Sequence, residues 1–170
     1  MHNKTIVVCF VCCSSMLSGW LSQTSQAKNT LPYKQVAMKI QEDKDAFGQF
    51  RYLGQAHCLD KQYHFVDNQI FQQSYIGLYN LMHPLPRLFD SKKLIAVYDD
   101  FEHKHAIRFE GFDVIEQCRQ QYDLEAVRQV YIEAVSNHKN YYSPDEEDME
   151  GHMVDYLKSG QLNVCRFTDC

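Results

Sequence analysis

The chain has one tryptophan, four prolines and seven glycines among its 170 residues. So few backbone breakers exclude collagen-like and low-complexity architectures, and they leave room for long uninterrupted elements. No apolar run approaches the ~20 residues that a membrane span needs; the longest, Ile6 to Cys13, is far shorter. Positive charge is in deficit too, with a formal net charge of −5. That balance argues against nucleic acid, whose phosphates favour basic surfaces. Nor does the chain beyond residue 27 carry an H-E-x-x-H, G-x-S-x-G, phosphate-loop or C-x-x-C pattern.

What is there begins with "MHNKTIVVCFVCCSSMLSGW". Lys4 precedes the apolar run, small and polar residues follow, and Ser25 and Ala27 stand three and one residues before a break at Lys28. This is the pattern of a secretory signal peptide over 1–27, cleaved to leave a periplasmic protein with no membrane insertion. Residues 28–170 then form a single domain, long enough to bury ~68% of the unfolded surface. Losing Lys4 takes the 17 basic residues to 16 against 22 acidic ones, a charge of −6.

Export also fixes how cysteine is read. Cys9, Cys12 and Cys13 leave with the leader, so Cys58, Cys118, Cys165 and Cys170 remain. Four cysteines in an oxidising compartment point to disulfides, with three connectivities open. The favoured one joins Cys58 to Cys118, both on or beside apolar helical stripes, and Cys165 to Cys170.

Helical spacing of apolar residues recurs along the whole chain, and no run of strict alternation competes with it. Phe47, Phe50, Gly54 and Cys58 mark a helix from Asp45 to about Tyr63. Phe71, Ser74, Tyr75, Leu78 and Met82 mark another from Asn68, with Asp67 as its cap. In "HPLPR", His83 and Leu85 precede prolines and are expected to be extended, stopping the helix. Asp90 caps a third helix with Leu94, Val97, Tyr98 and Phe101 inward. A fourth starts at Phe112 with Ile115, Cys118, Arg119 and Tyr122 on one side. Asp123 caps a fifth carrying Leu124, Val127, Tyr131 and Ala134. Ser143, Pro144 and Glu146 read as a capping box opening a sixth, with Met149, Met153 and Tyr156 inward and Gly160 ending it. The expected fold is all-α: a compact bundle of about five to six helices with one or two disulfides.

Three sets of residues invite chemistry. Cys58 lies between His57 and His64, but His57 is rotated about 100° around a helix and cannot easily present its ring to the sulfur. A thiol hydrolase using Cys58 is therefore the weakest reading of the chain. His103 and His105 diverge by ~200° on a helix. Asp60 and His64, at i and i+4, supply only two ligands, short of a site. Neither a metal nor a cofactor is expected. The acids of "SPDEEDME" suit a helix start, where the dipole favours them. Asp99, Asp100 and Glu102 fall late in their helix, where it does not; they read as solvated surface or as a face for a basic partner.

Two segments carry a resemblance. "LGQAHCLDKQYH" resembles the first-helix pattern of the periplasmic immunity proteins that neutralise type VI secretion amidase effectors. "LIAVYDDFEHKH" with "GFDVIEQCRQQYDLEAVRQVYIEAV" is similar to their third, fourth and fifth helices. The likeness spans residues 45–137; the matching features are Cys-Leu with a tyrosine soon after, Asp-Asp-aromatic, and Phe-Asp before the second cysteine. It implies a small, exported, helical protein, often a homodimer, that blocks a secreted cysteine amidase acting on peptidoglycan stems. The family inserts the loop between its third and fourth helices into the enzyme's groove. Here that loop is "HKHAIRFEG", which makes His105, Arg108, Phe109 and Glu110 the inhibitory candidates, flanked by Asp99, Asp100 and Glu102. The loop is shorter than is usual in the family, and Tyr75 and Tyr79 stand where its second helix carries tryptophan. Residues 141–170, a helix with a cysteine-linked tail, have no counterpart there. Alternatives are an exported helical adaptor module or an immunity protein for another effector class.

Overall fold

In the helix over 32–42 (α1), Val36, Ala37 and Ile40 recur at helical spacing and are buried against the rest of the chain. Asp43 ends it and opens the next helix, accepting hydrogen bonds from the backbone N–H groups of Asp45 and Ala46. The computed structural model describes residues 32–105, 111, 113–143 and 149–160. In chain order its further helices are α2 (Lys44–Gln62), α3 (Gln69–Asn80), α4 (Pro84–Leu88), α5 (Ser91–Lys104), α6 (Val114–Asp123), α7 (Glu125–Ser136) and α8 (Met149–Ser159). Two single 3₁₀ turns join them, Val66–Asn68 and His138–Asn140. The fold is all-α; among the described residues the one extended pairing is an isolated bridge between Phe89 and Tyr141.

α2 is the central helix, with α3 on one flank, α6 on the other, and α4, α5 and α7 touching it as well. Gly54 shows why α6 lies so close: a Cβ there would collide with the Tyr122 ring. The disulfide Cys58–Cys118 joins the same two helices. Arg51 pairs with Asp123 further along, so α6 runs antiparallel to α2.

The core is aromatic, and its tyrosines do two jobs. Tyr98, Tyr122, Tyr131, Tyr141 and Tyr156 are all fully or almost fully buried. A buried phenol must find a partner, and the last carbonyls of short helices have none of their own. Tyr131 donates to the Ile40 carbonyl near the end of α1, and Tyr141 to the Val135 carbonyl in the last turn of α7. Tyr75 donates within reach of the Pro86 and Phe89 carbonyls at the end of α4. Lys39 does the same for α8, donating to the carbonyls of Tyr156 and Leu157 at 2.7 and 3.0 Å.

Several expectations need correction. The described residues hold eight helices, more than the expected five to six, since 32–42 and Pro84–Leu88 are helical outside every expected span. His83 is extended as expected, but Leu85 is helical and fully buried. Prolines at the first and third positions of a helix cost little, since those N–H groups have no intrahelical acceptor. Asp67 does not cap α3. It takes a left-handed conformation, as does Asn68, and the carboxylate serving the α3 N-terminus comes from Asp60. Asp123 ends α6 and pairs with Arg51 and Arg119, so the N-cap of α7 is Leu124, which offers no side-chain hydrogen bond. Ile115 is 61% exposed. Met149, Met153 and Tyr156 are inward, and Gly160 ends α8 at φ +71 as expected. The signal peptide over 1–27, the capping role of Pro144 and Glu146, and the Cys165–Cys170 pair lie outside the described residues.

Candidate functional site

The candidate acids sit on α5, which Asp90 caps by accepting from the N–H groups of Lys92 and Lys93. Leu94, Tyr98 and Phe101 point into the core and fix the rotation of the helix. Asp99 and Glu102, three residues apart, then share the flank facing α2. Asp100 is turned about 100° away.

That rotation splits the acidic triplet. Lys61 of α2 reaches between Asp99 Oδ1 and Glu102 Oε2, at 3.0 and 3.1 Å. His57, 1% exposed, places Nε2 3.2 Å from the same Asp99 oxygen and Nδ1 3.1 Å from Asn68 Oδ1. Tyr122 donates to Glu102 Oε1 at 2.8 Å. Asp60, also 1% exposed, accepts from the Ile70 and Phe71 N–H groups, both at 2.8 Å. The result is one polar seam joining α2, α3, α5 and α6. Burial works against the charge on Asp99, but the hydrogen bond from Lys61, helped by attraction to His57 and Lys61, holds its carboxyl below the usual range. Burial likewise opposes the Lys61 ammonium, and its bonds to Asp99 and Glu102 outweigh that and hold it above its usual range.

Asp100 does none of this. It pairs with Lys104 at 2.6 Å on the surface, at the rim of a groove of about 800 Å³ between α5 and α7. Val97, Phe101, Val130 and Glu133 line that groove as well. His105 closes α5, its N–H donating to the Phe101 carbonyl at 2.9 Å and its ring 5.0 Å from the Phe101 ring. Arg108, Phe109 and Glu110 lie outside the described residues. On the far side of that segment, Asp113 caps α6, accepting from the Glu116 N–H at 2.8 Å.

Cys58 is bonded to Cys118, so its sulfur is not a thiol, and both residues are buried. His57 turns its ring to Asn68 and Asp99, in line with the expected geometry. Asp60 faces the α3 N-terminus while His64 is exposed, so that i, i+4 pair does not converge. Among the described residues no group of three or more His, Cys, Asp or Glu is placed to hold a metal ion.

Sequence reasoning missed the α5–α7 groove and the seam through His57, Asp60 and Lys61. The small residues Ala96, Ala126 and Ala134 along the groove were its one available signal. For the seam there was no local signal, because every partner comes from another helix. No protein-family model, no curated protein and no solved structure matches this chain.

Proposed function

We propose that this protein is a non-catalytic inhibitor: an immunity protein that binds and blocks a type VI secretion peptidoglycan amidase in the periplasm. An inhibitor of this kind needs a rigid scaffold that presents a short segment without paying to order it on binding. The observation that carries the reading is how the flanks of residues 106–112 are held. Upstream, α5 is tied to α2 and α6 through Lys61, Glu102 and Tyr122. Downstream, α6 is capped by Asp113 and bonded to α2 by Cys58–Cys118. Both ends of the candidate loop are thus anchored on the same helix, α2. The family resemblance supplies the partner class, and the candidate contacts are Asp100, His105, Arg108, Phe109 and Glu110. Asp99 and Glu102 act through the scaffold.

Affinity capture with oxidised protein against effectors secreted by the same and neighbouring strains tests this. The expected outcome is recovery of a cysteine amidase whose peptidoglycan cleavage stops at one equivalent of this chain. Phe109→Ala is expected to weaken that inhibition at unchanged melting temperature; an unchanged titration would remove Phe109 as an anchor. The groove between α5 and α7 favours a second reading, an exported helical adaptor that takes a partner's apolar segment there. Capture of a partner without amidase activity would favour that reading.

A further inference from the structure

α4 is short of hydrogen-bond donors at its start. Pro84 and Pro86 have no N–H, so Leu85 between them has the first one to place. Leu85 is fully buried, and its N–H donates to Gln49 Oε1 of α2 at 3.3 Å. That bond fixes which way the Gln49 amide faces, since only its oxygen can accept. The amide nitrogen is left facing His83, the N-cap of α4, with Nε2 2.9 Å from the ring Nδ1. An amide N–H₂ only donates, so Nδ1 must offer a lone pair and the ring proton must be on Nε2. Gln49 is buried, and no other orientation of its amide serves both neighbours.

The same corner stores backbone strain. Met82, immediately before His83, has φ +61, a left-handed conformation that residues other than glycine rarely adopt. Such a conformation persists only where its surroundings hold it. Arg87 reaches back from α4, its Nε donating to the Tyr79 carbonyl at 3.1 Å and its Nη2 lying 2.8 Å from Met82 Sδ. The His83 N–H donates to the Leu78 carbonyl at 3.1 Å. The His83 ring, through Gln49, ties the corner to α2.

We propose that His83 and Gln49 form an acid-sensitive latch, closed while the ring is neutral and opened when it takes up a proton. Histidine gains that proton as pH falls through roughly 6.5. A proton on Nδ1 sets two donors face to face, and Gln49 cannot turn over without presenting its nitrogen to the Leu85 N–H. Either the ring swings away or a buried donor loses its acceptor. No opposite charge is placed to offset this. α3 has no charged residue, and Arg87 of α4 is engaged with Tyr79 and Met82. Asp45 lies one turn before Gln49 on α2, and α8, which packs on α4, carries Glu150, His152, Asp155 and Lys158. Among the described residues His83 forms no ion pair. In acid the α3–α4 corner therefore parts from α2, and Met82 is free to relax. The latch belongs to the scaffold, so it stands independently of the inhibitor reading.

Amide hydrogen exchange of the full, oxidised chain, followed by NMR from about pH 8 to about pH 5 and corrected for intrinsic rates, reads the latch. Protection of the Leu85 N–H should fall by about tenfold or more across that range, relative to a core amide such as that of Leu53. His83→Asn puts an amide oxygen where Nδ1 stands and takes up no proton, so its Leu85 protection should stay level. The ring nitrogens of the wild type give a second readout: at the alkaline end the proton should be on Nε2. A proton on Nδ1 there, an equal fall in His83→Asn, or steady wild-type protection while the ring titrates would overturn the proposal.

Discussion

The two sides of α5 begin from nearly the same residues and end in different states. Asp99 and Asp100 are neighbours, yet Asp99 is held by Lys61 and His57 while Asp100 stands on the surface with Lys104. The difference is one residue of helical rotation, about 100°. On the α2 side, each polar group is shared between helices, so removing one loosens the packing of another element. On the α7 side, small residues leave an open groove, and Asp100 pairs with Lys104 of its own helix. An acidic cluster in a sequence is therefore two things at once: part of the scaffold and part of a surface. Only the packed neighbours decide which acid is which.

The comparison breaks hardest at the disulfide, which holds the α2 side together. Cys58 and Cys118 are 60 residues apart, and closing such a loop stabilises by about 4 kcal/mol in the chain-entropy account. Cys58→Ala paired with Cys118→Ala should therefore lower the unfolding free energy by about that amount in urea, as should reductant on the wild type. Equal stability with and without reductant would show that the helices hold α6 unaided. Next in size is Asp60→Ala. It removes the acceptor of one buried and one part-buried N–H group at the start of α3 and should cost about 2 kcal/mol. Hydrogen exchange at Ile70 and Phe71 should accelerate beyond the global change.

These sites also show how far the sequence could be read. The Asp90 cap and the inward Met149, Met153 and Tyr156 follow from local spacing, Cys58–Cys118 was the favoured one of three connectivities, and the structure has them all. Asp60 was read as half of a weak metal pair, because its true partners lie ten and eleven residues on, across a turn of left-handed residues. Asp123 looked like a cap because it precedes a helical pattern, yet Arg51 from α2 competes for it and wins. Helix 32–42 was missed even though Val36, Ala37 and Ile40 carry the spacing, since polar residues dilute the pattern. Of the candidate site, membership of α5 was legible. The division between Asp99 and Asp100 was not, because phase alone does not say what lies on either side.

Two smaller effects sharpen the contrast. Asp99→Asn leaves Lys61 and His57 with a neutral partner. The native carboxyl is held below its usual range, so its contribution is complete above that range and fades as pH falls through it. The Lys61 ammonium, held above its usual range, contributes fully below that range and loses this as pH rises past it. Asp99 is half exposed, so solvent screening limits the loss to below about 1 kcal/mol. The variant should be less stable than the wild type at neutral pH and indistinguishable from it in acid. A constant difference across the whole acid range would assign the effect to packing rather than charge.

Lys104→Ala tests the other side. Lys104 and Asp100 are both more than 60% exposed, and a surface i, i+4 pair gains little once the ordering of two side chains is counted. Lys104 is also in the last turn of α5, where a cation is favourable for the helix dipole, but salt screens that as well. The melting temperature should stay the same within error, at low and at physiological salt. If it falls as much as for Asp99→Asn, the two sides of α5 are energetically alike, and the groove edge belongs to the scaffold after all. If it holds while binding to a captured partner changes, the exposed acid and lysine are surface with a task, separable from the seam that keeps the fold.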